Sequence, residues 1–129
     1  MSTDTTASVS THILDTSIGR PAEGVAITLA ARSGFDAQWI TLGGSATDAD
    51  GRCKDLPALP EGTTHVRLDF ETEAYFVNKQ AEAQQDAPRV RDSGAFFPEV
   101  AITFAVKPGE HYHVPLLLNP FGYSVYRGS

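Results

Sequence analysis

The chain has 129 residues, which is enough for one domain with a single hydrophobic core. Its net charge is −6 with no block of basic residues, which argues against nucleic acid or an anionic membrane as a partner. No apolar run approaches the roughly 18 residues of a membrane-spanning helix. The first residues lack the basic and apolar segments of a secretion signal, so we expect a cytoplasmic protein.

Hydrophobic periodicity predicts short strands and one helix. In chain order the predicted strands are Val9–Asp15, Val25–Arg32, Gln38–Thr47, Arg52–Leu56, Thr64–Glu71, Glu99–Val106, His111–Leu118 and a short piece at Tyr123–Arg127. The helix is predicted at Thr72–Gln85. Seven to eight strands with one short helix predict an all-β protein, an antiparallel β-sandwich. Residues 1–8 are expected to form a flexible tail, and residues 9–129 the single domain.

Three of the four histidines lie on two of these strands. Because side chains alternate along a strand, His111 and His113 share one face, about 7 Å apart. His12 shares a face with Leu14 on the first strand. The pair is compatible with a surface feature of an edge strand, with a catalytic site, or with a zinc site that takes His12 as its third ligand. His65 lies on the polar face of its own strand and is interpreted as solvated.

The C-terminal residues are neither low in complexity nor strongly polar. We expect Phe121, Tyr123 and Tyr126 to be packed, which would fix Arg127 and the Ser129 carboxylate in definite positions. Arg52 follows a tight acidic turn, and on local grounds alone it reads as a solvated arginine.

Three segments resemble the signatures of the 5-hydroxyisourate hydrolases, the transthyretin-like enzymes of urate breakdown. They read STHILDTSIGRPAEGV near the start, TDADGRC in the middle and HYHVPLLLNPFGYSVYRGS at the end. In that family, the terminal Tyr-Arg-Gly-Ser separates the enzymes from transthyretin, the hormone carrier of the same fold. The resemblance implies a transthyretin-like sandwich that forms a homotetramer, with active sites where dimers meet around a central channel.

Carried over by position, the resemblance implies which residues form the site. The catalytic residues would be His12, Arg52 and His113. The same three would bind substrate together with Tyr126, Arg127 and Ser129 of the C-terminal tail, and His111 would be accessory. No metal and no cofactor are implied. The stretch from 80 to 94 looks longer than in the family and is expected to be a surface elaboration.

The implied reaction is hydrolysis of 5-hydroxyisourate to 2-oxo-4-hydroxy-4-carboxy-5-ureidoimidazoline, by attack of water on a ring carbonyl. His12 or His113 suits the proton transfers, because imidazole titrates near neutral pH. The residues leave open which of the two is the base. Arg52 suits binding of the carbonyl and its developing charge. Cys53 has no adjacent histidine in the sequence and is interpreted as structural.

Two alternatives belong to other classes of protein. A transthyretin-like carrier would hold small aromatic ligands in the channel, but it would need neither three channel-facing histidines nor a charged tail. A zinc-binding protein would use His12, His111 and His113, and we expect any such metal to be adventitious or inhibitory.

Overall fold

The computed structural model describes residues 6–83 and 95–128, and in them two four- to five-stranded sheets pack face to face. The predicted β-sandwich with one helix is confirmed. In chain order the elements are β1 Ser8–Asp15, β2 Arg20–Pro21, β3 Ala26–Arg32, β4 Ile40–Ala46, β5 Arg52–Cys53, β6 His65–Phe70, α1 Thr72–Ala83, β7 Val100–Ala105, β8 His111–Asn119 and β9 Gly122–Val125.

The two sheets differ in how their strands meet. Sheet A has the order β2-β1-β8-β9, with β5 also paired to β1, and sheet B has the order β4-β3-β6-β7. All pairs are antiparallel except β1 with β8, which run parallel from Ser8 opposite His111 to Asp15 opposite Leu118. Almost the whole chain separates these two strands, so no hairpin forces them to be antiparallel. The sequence pattern contains no signal for this one parallel pair.

The core lies between the sheets and is filled by alternate residues of the longer strands. On β1 the buried side chains are Val9, Thr11, Ile13 and Asp15, and the intervening ones are half-buried or exposed. The buried Asp15 carboxylate accepts hydrogen bonds from the Tyr75 hydroxyl at 2.7 Å and from the backbone and hydroxyl of Ser17. These bonds satisfy the buried charge and attach α1 to sheet A.

Parts of the earlier expectations lie outside the described residues. The expected tail of residues 1–8 is described only from Thr6, and Ser8 already belongs to β1. The expected elaboration at 80–94 is described only as far as the end of α1 at Ala83. Within the described ranges, no helix is long and apolar enough to cross a membrane.

Candidate active site

The parallel pairing of β1 and β8 brings the three histidines of sheet A to one outer face. Ser10 lies opposite His113, and His12 lies opposite Pro115. The buried side chains of both strands point into the core, so His12 and His113 project from the other side of the sheet, where both are partly exposed. Alternation predicted that His111 and His113 share one face of β8, and this is confirmed; the pairing of β8 with β1 places His12 on the same side of the sheet.

Arg52 is delivered to the same place by the acidic turn. Strand β5 pairs with β1 so that Arg52 lies opposite His12. The Asp48 carboxylate accepts hydrogen bonds from the backbone N–H groups of Asp50 at 2.9 Å and Arg52 at 3.0 Å. The bond from the Arg52 backbone is the main reason that the pKa of Asp48 is lowered. The turn thus ends with the arginine opposite a histidine, where its side chain is exposed and lines the pocket described below.

A glycine is required in this turn. Gly51 has φ +74°, and a Cβ on it would lie 2.4 Å from the carbonyl oxygen of Ile13. That same close approach allows the backbone N–H of Ile13 to donate to the Gly51 carbonyl at 2.7 Å. The absence of a side chain therefore lets the turn pack directly on β1.

An open pocket of about 320 Å³ lies where these elements meet. It is lined by Ser10, Thr11, Arg52, Lys54, His111 and His113. Two cationic side chains and two imidazoles line it, and among the described residues no carboxylate does. The pocket therefore suits a ligand that is anionic or rich in carbonyl oxygens.

His113 is the group in this pocket whose ionisation is most clearly perturbed. Its pKa is lowered, first by partial burial and then by the positive charges that His12, Arg52 and His111 carry or can carry. A lowered pKa keeps the imidazole neutral at neutral pH, which is the form that can accept a proton.

Two serine hydroxyls hold the histidines of β8. Ser8 Oγ lies 2.6 Å from His111 Nδ1, and Ser10 Oγ lies 2.9 Å from His111 Nε2 and 2.9 Å from His113 Nδ1. Sequence reasoning missed both serines and also missed Lys54. The signal was present, because Ser8 and Ser10 precede His12 by four and two residues and Lys54 follows Arg52 by two, so alternation places each on the same side of its strand.

The C-terminal tail runs back along β8. The Gly128 N–H donates to the His113 carbonyl at 2.8 Å, and a Cβ at Gly128 would lie 2.9 Å from Cδ2 of His113. The Arg127 guanidinium lies 4.5 Å from the ring of Tyr112 and 3.2 Å from a carboxylate oxygen of Glu110. The tail therefore lies against the backbone of His113, while the Arg127 side chain points to Glu110 and does not line the pocket.

The expectation that the terminal aromatic residues are packed is wrong for the single chain. Phe121 is 79% exposed, Tyr126 57% and Tyr123 41%. The reason is that all three residues lie on or next to β9, a short edge strand, so their side chains meet solvent in one subunit. Tyr123 has one ring contact, edge-on to Phe97 with centroids 5.3 Å apart. Backbone bonds, rather than aromatic packing, hold the tail, and Ser129 lies outside the described residues.

The structure thus brings His12, Arg52, His111 and His113 together and places Tyr126 and Arg127 at the side of this group. In the ranges 6–83 and 95–128, no three of the histidine, cysteine, aspartate and glutamate side chains are arranged to hold a metal ion. Cys53 is buried, and burial is the main cause of its raised pKa, so it is held as a thiol rather than a reactive thiolate.

Fold and site together define a transthyretin-like sandwich that carries a pocket of histidine, arginine and lysine on its outer face. The model of the HIUase/Transthyretin family matches residues 9–128. The chain belongs to this family, which confirms the resemblance found in the sequence.

Known 5-hydroxyisourate hydrolases and known transthyretins are both similar to this chain. The 5-hydroxyisourate hydrolase of Salmonella dublin is 41% identical over 94% of this chain and 80% of its own length. The structure of Klebsiella pneumoniae 5-hydroxyisourate hydrolase superposes with a TM-score of 0.68 at 36% identity, covering 94% of this chain and 98% of that one. Sea bream transthyretin in complex with thyroxine gives a TM-score of 0.74 at 28% identity, covering 93% of each chain.

Proposed function

We propose that this chain is a hydrolase that converts 5-hydroxyisourate to 2-oxo-4-hydroxy-4-carboxy-5-ureidoimidazoline in urate degradation. The observation that carries the proposal is the pocket in which Arg52 and His113 meet, in a chain 41% identical to a protein of that name. The reaction opens a cyclic amide with water. Location in the cytoplasm stays a prediction from the sequence.

The pocket offers a group for each task of the reaction. A base must remove a proton from water, and His113 suits this because its lowered pKa keeps it neutral. A cation must bind the carbonyl oxygen on which charge develops, and the fixed fork of donors of Arg52 suits this. Lys54 adds a second positive charge at the pocket wall. A proton must finally reach the leaving nitrogen, and either His12 or His113 is placed to supply it.

The reaction needs no nucleophilic side chain of the protein. Cys53 is buried on the core side of β5, next to Arg52 in the chain but on the opposite face of the strand. The raised pKa of Cys53 further lowers the fraction of this side chain that is present as thiolate. Water, activated by a histidine, is therefore the proposed nucleophile.

The proposed assembly is a homotetramer in which outer faces of sheet A face one another. Support comes from three exposed aromatic side chains on and next to β9, Phe121, Tyr123 and Tyr126, because exposed apolar patches often mark interaction surfaces. Burial in an assembly would pack these rings, hold Tyr126 and Arg127 in place, and enclose the open pocket. Ser129 is proposed to act with them in binding substrate.

A transthyretin-like carrier is the second candidate, supported by the similarity to sea bream transthyretin in complex with thyroxine. The two functions differ in what they do to urate freshly oxidised by uricase. A hydrolase accelerates the decay of the intermediate's ultraviolet absorbance in proportion to protein concentration. A carrier leaves the decay rate unchanged or slows it, and that result would overturn the proposal.

A further inference from the structure

A continuous chain of hydrogen bonds connects the surface to the pocket. It runs from Ser8 Oγ to His111 Nδ1, from His111 Nε2 to Ser10 Oγ, and from Ser10 Oγ to His113 Nδ1, over distances of 2.6, 2.9 and 2.9 Å. Ser8 and His111 are exposed, while His113 is half-buried in the pocket wall. The four side chains come from only two strands, because the parallel register of β1 and β8 interleaves them.

The protons of this series of hydrogen bonds can be placed in two arrangements that complete every bond. A hydroxyl carries one proton, so Ser10 donates to one of its two imidazole partners and accepts from the other. When Ser10 donates to His113 Nδ1, His111 carries its proton on Nε2 and accepts from Ser8. When Ser10 donates to His111 Nε2, His113 carries its proton on Nδ1 and His111 donates from Nδ1 to Ser8. Both histidines therefore adopt the same tautomer in either arrangement.

The two arrangements give His113 opposite chemical roles. With the proton on Nδ1, its Nε2 atom has a lone pair and can accept a proton from water. With Nδ1 accepting from Ser10, its Nε2 atom carries a proton and can donate it. Within the described part of the chain, Nε2 of His113 has no hydrogen-bond partner of its own. This nitrogen is the one left available to a substrate.

We propose that Ser10 and His111 form a proton relay that switches His113 between its base and acid tautomers, an inference that rests on the proposed hydrolytic function. As water attacks, Nε2 of His113 takes its proton, and the Nδ1 proton passes to Ser10. The Ser10 proton passes to His111 Nε2, the His111 Nδ1 proton to Ser8, and one proton leaves Ser8 for solvent. When the leaving nitrogen takes the Nε2 proton, the same transfers run backwards and one proton returns from solvent. Protons balance, and His113 stays neutral between steps.

The charges in the pocket explain why such a relay is useful. An imidazolium at His113 would lie among Arg52, Lys54 and two further histidines, and no carboxylate of residues 6–83 or 95–128 lines the pocket. Partial burial, and after it the charges of His12, Arg52 and His111, lower the pKa of His113, so a lasting positive charge there is unfavourable. A path that carries away the Nδ1 proton of His113 as its Nε2 atom is protonated avoids that charge. His12 takes no part in this series of hydrogen bonds, so the relay assigns the role of general base to His113.

The first test measures tautomers and needs no substrate. Full-length protein labelled with ¹⁵N in histidine rings is compared with Ser10→Ala, Ser10→Thr and the distant control Ser33→Ala by nitrogen chemical shifts. We expect His111 and His113 to share one tautomer, or to exchange between tautomers together, in wild type, Ser10→Thr and Ser33→Ala. Ser10→Ala should shift Nδ1 of His113 and uncouple the two rings. Unchanged His113 shifts in Ser10→Ala, or opposite tautomers in the wild type, would overturn the relay.

The second test measures turnover of 5-hydroxyisourate by the same variants. Ser10→Ala should lower kcat by about 10-fold or more with little change in KM, since it removes proton transfer and not binding. Ser10→Thr keeps the hydroxyl and should restore most of the rate, while Ser8→Ala should cost less because water can replace it. Wild-type kcat in a folded Ser10→Ala protein would overturn the relay. Coupled tautomers in a protein that does not hydrolyse 5-hydroxyisourate would instead overturn the proposed function alone.

Discussion

The two sheets of the sandwich present outer faces that look alike in sequence and differ in charge balance. Each carries histidine and arginine at alternate strand positions: His12 and His113 with Arg52 on sheet A, and His65 with Arg67 on sheet B. By alternation alone, both sets project from the sandwich. What distinguishes the faces is the set of neighbours that the fold brings to each one.

On sheet B Arg67 has an acidic partner and both arginines stack on one indole ring, although the buried Nε of Arg32 has no hydrogen-bond partner among the described residues. The Arg67 guanidinium lies 3.2 Å from the Asp69 carboxylate and 4.9 Å from the centroid of the Trp39 ring. The Arg32 guanidinium lies 4.6 Å from the centroid of the same ring. His65 bonds to the adjacent hydroxyl of Thr64 at 2.8 Å. Such pairs and stacks are common on protein surfaces and need no ligand.

On sheet A the positive groups gather around a pocket to whose wall the described residues contribute no acidic side chain. Folding gains nothing from keeping like charges together, because their repulsion is unfavourable. An arrangement that lowers the pKa of a histidine and leaves cations uncompensated is typical of a site that receives its electron-rich partner from solution. The comparison teaches that charge balance, more than residue type, separates the candidate site from ordinary surface.

Removing the end of the tail should break the sheet A face most completely. We expect deletion of residues 127–129 to reduce decay of the substrate to its spontaneous rate, because Gly128 bonds the His113 backbone and the tail is proposed to bind substrate. The sandwich should persist, since β1 to β9 end at Val125. Absorbance decay and circular dichroism together check this. Normal hydrolysis by the truncated protein would show that the tail contributes packing only.

Arg52→Lys sharpens the comparison by separating charge from geometry. We expect a loss of about 10-fold or more in kcat/KM, because an ammonium lacks the planar fork that matches a carbonyl and its neighbouring N–H. The matched change Arg67→Lys on sheet B should leave the rate unchanged, since that arginine pairs with Asp69. Full activity in Arg52→Lys would reduce the requirement to a point charge.

The pH dependence of activity should reflect the positive charges that surround His113 on sheet A. A base must be neutral, and a lowered pKa keeps His113 neutral to lower pH, so activity should persist below the ordinary imidazole value of about 6.5 before it falls. Removing a neighbouring charge by Arg52→Gln should move the acid limb of the residual activity upward. An acid limb above pH 6.5 in the wild type, or no acid limb, would contradict a base at His113.

Metal removal should have the smallest effect. The proposed water activation uses imidazole, and a bound zinc would occupy the lone pair that the base requires. We therefore expect unchanged or higher activity after chelation, and inhibition by added zinc. Activity that is lost on chelation and restored by zinc alone would move the site to metal-assisted hydrolysis.

Much of the fold could be predicted because alternation is a strong local signal. The strand around Val66, Leu68 and Phe70 shows the expected buried face, and the H-x-H pair projects outward as alternation requires. The parallel pairing of β1 with β8 was not predictable by the same means. It depends on contacts between residues about a hundred positions apart, and neither strand's pattern contains its direction.

The resemblance to a known family predicted the main residues of the candidate site, but not the residues that contact them. His12, Arg52 and His113 were found through the resemblance to a known family. Ser10 was not, because a serine on a strand has no distinctive pattern, and its value arises only when the register sets it between two imidazoles. The prediction that the terminal aromatic rings are packed was wrong for one chain. A sequence shows that a ring is apolar, but it does not show whether one chain or several bury it.

The most direct test of the central claim compares the two outer faces in one assay. His113→Ala and His65→Ala make the same substitution on a strand histidine, one on sheet A and one on sheet B. We predict that His113→Ala lowers the catalysed decay of 5-hydroxyisourate on the order of 10²-fold or more with the fold retained, while His65→Ala keeps the wild-type rate. Equal rates for the two variants, or near wild-type activity in His113→Ala at saturating substrate, would contradict the assignment of catalysis to sheet A.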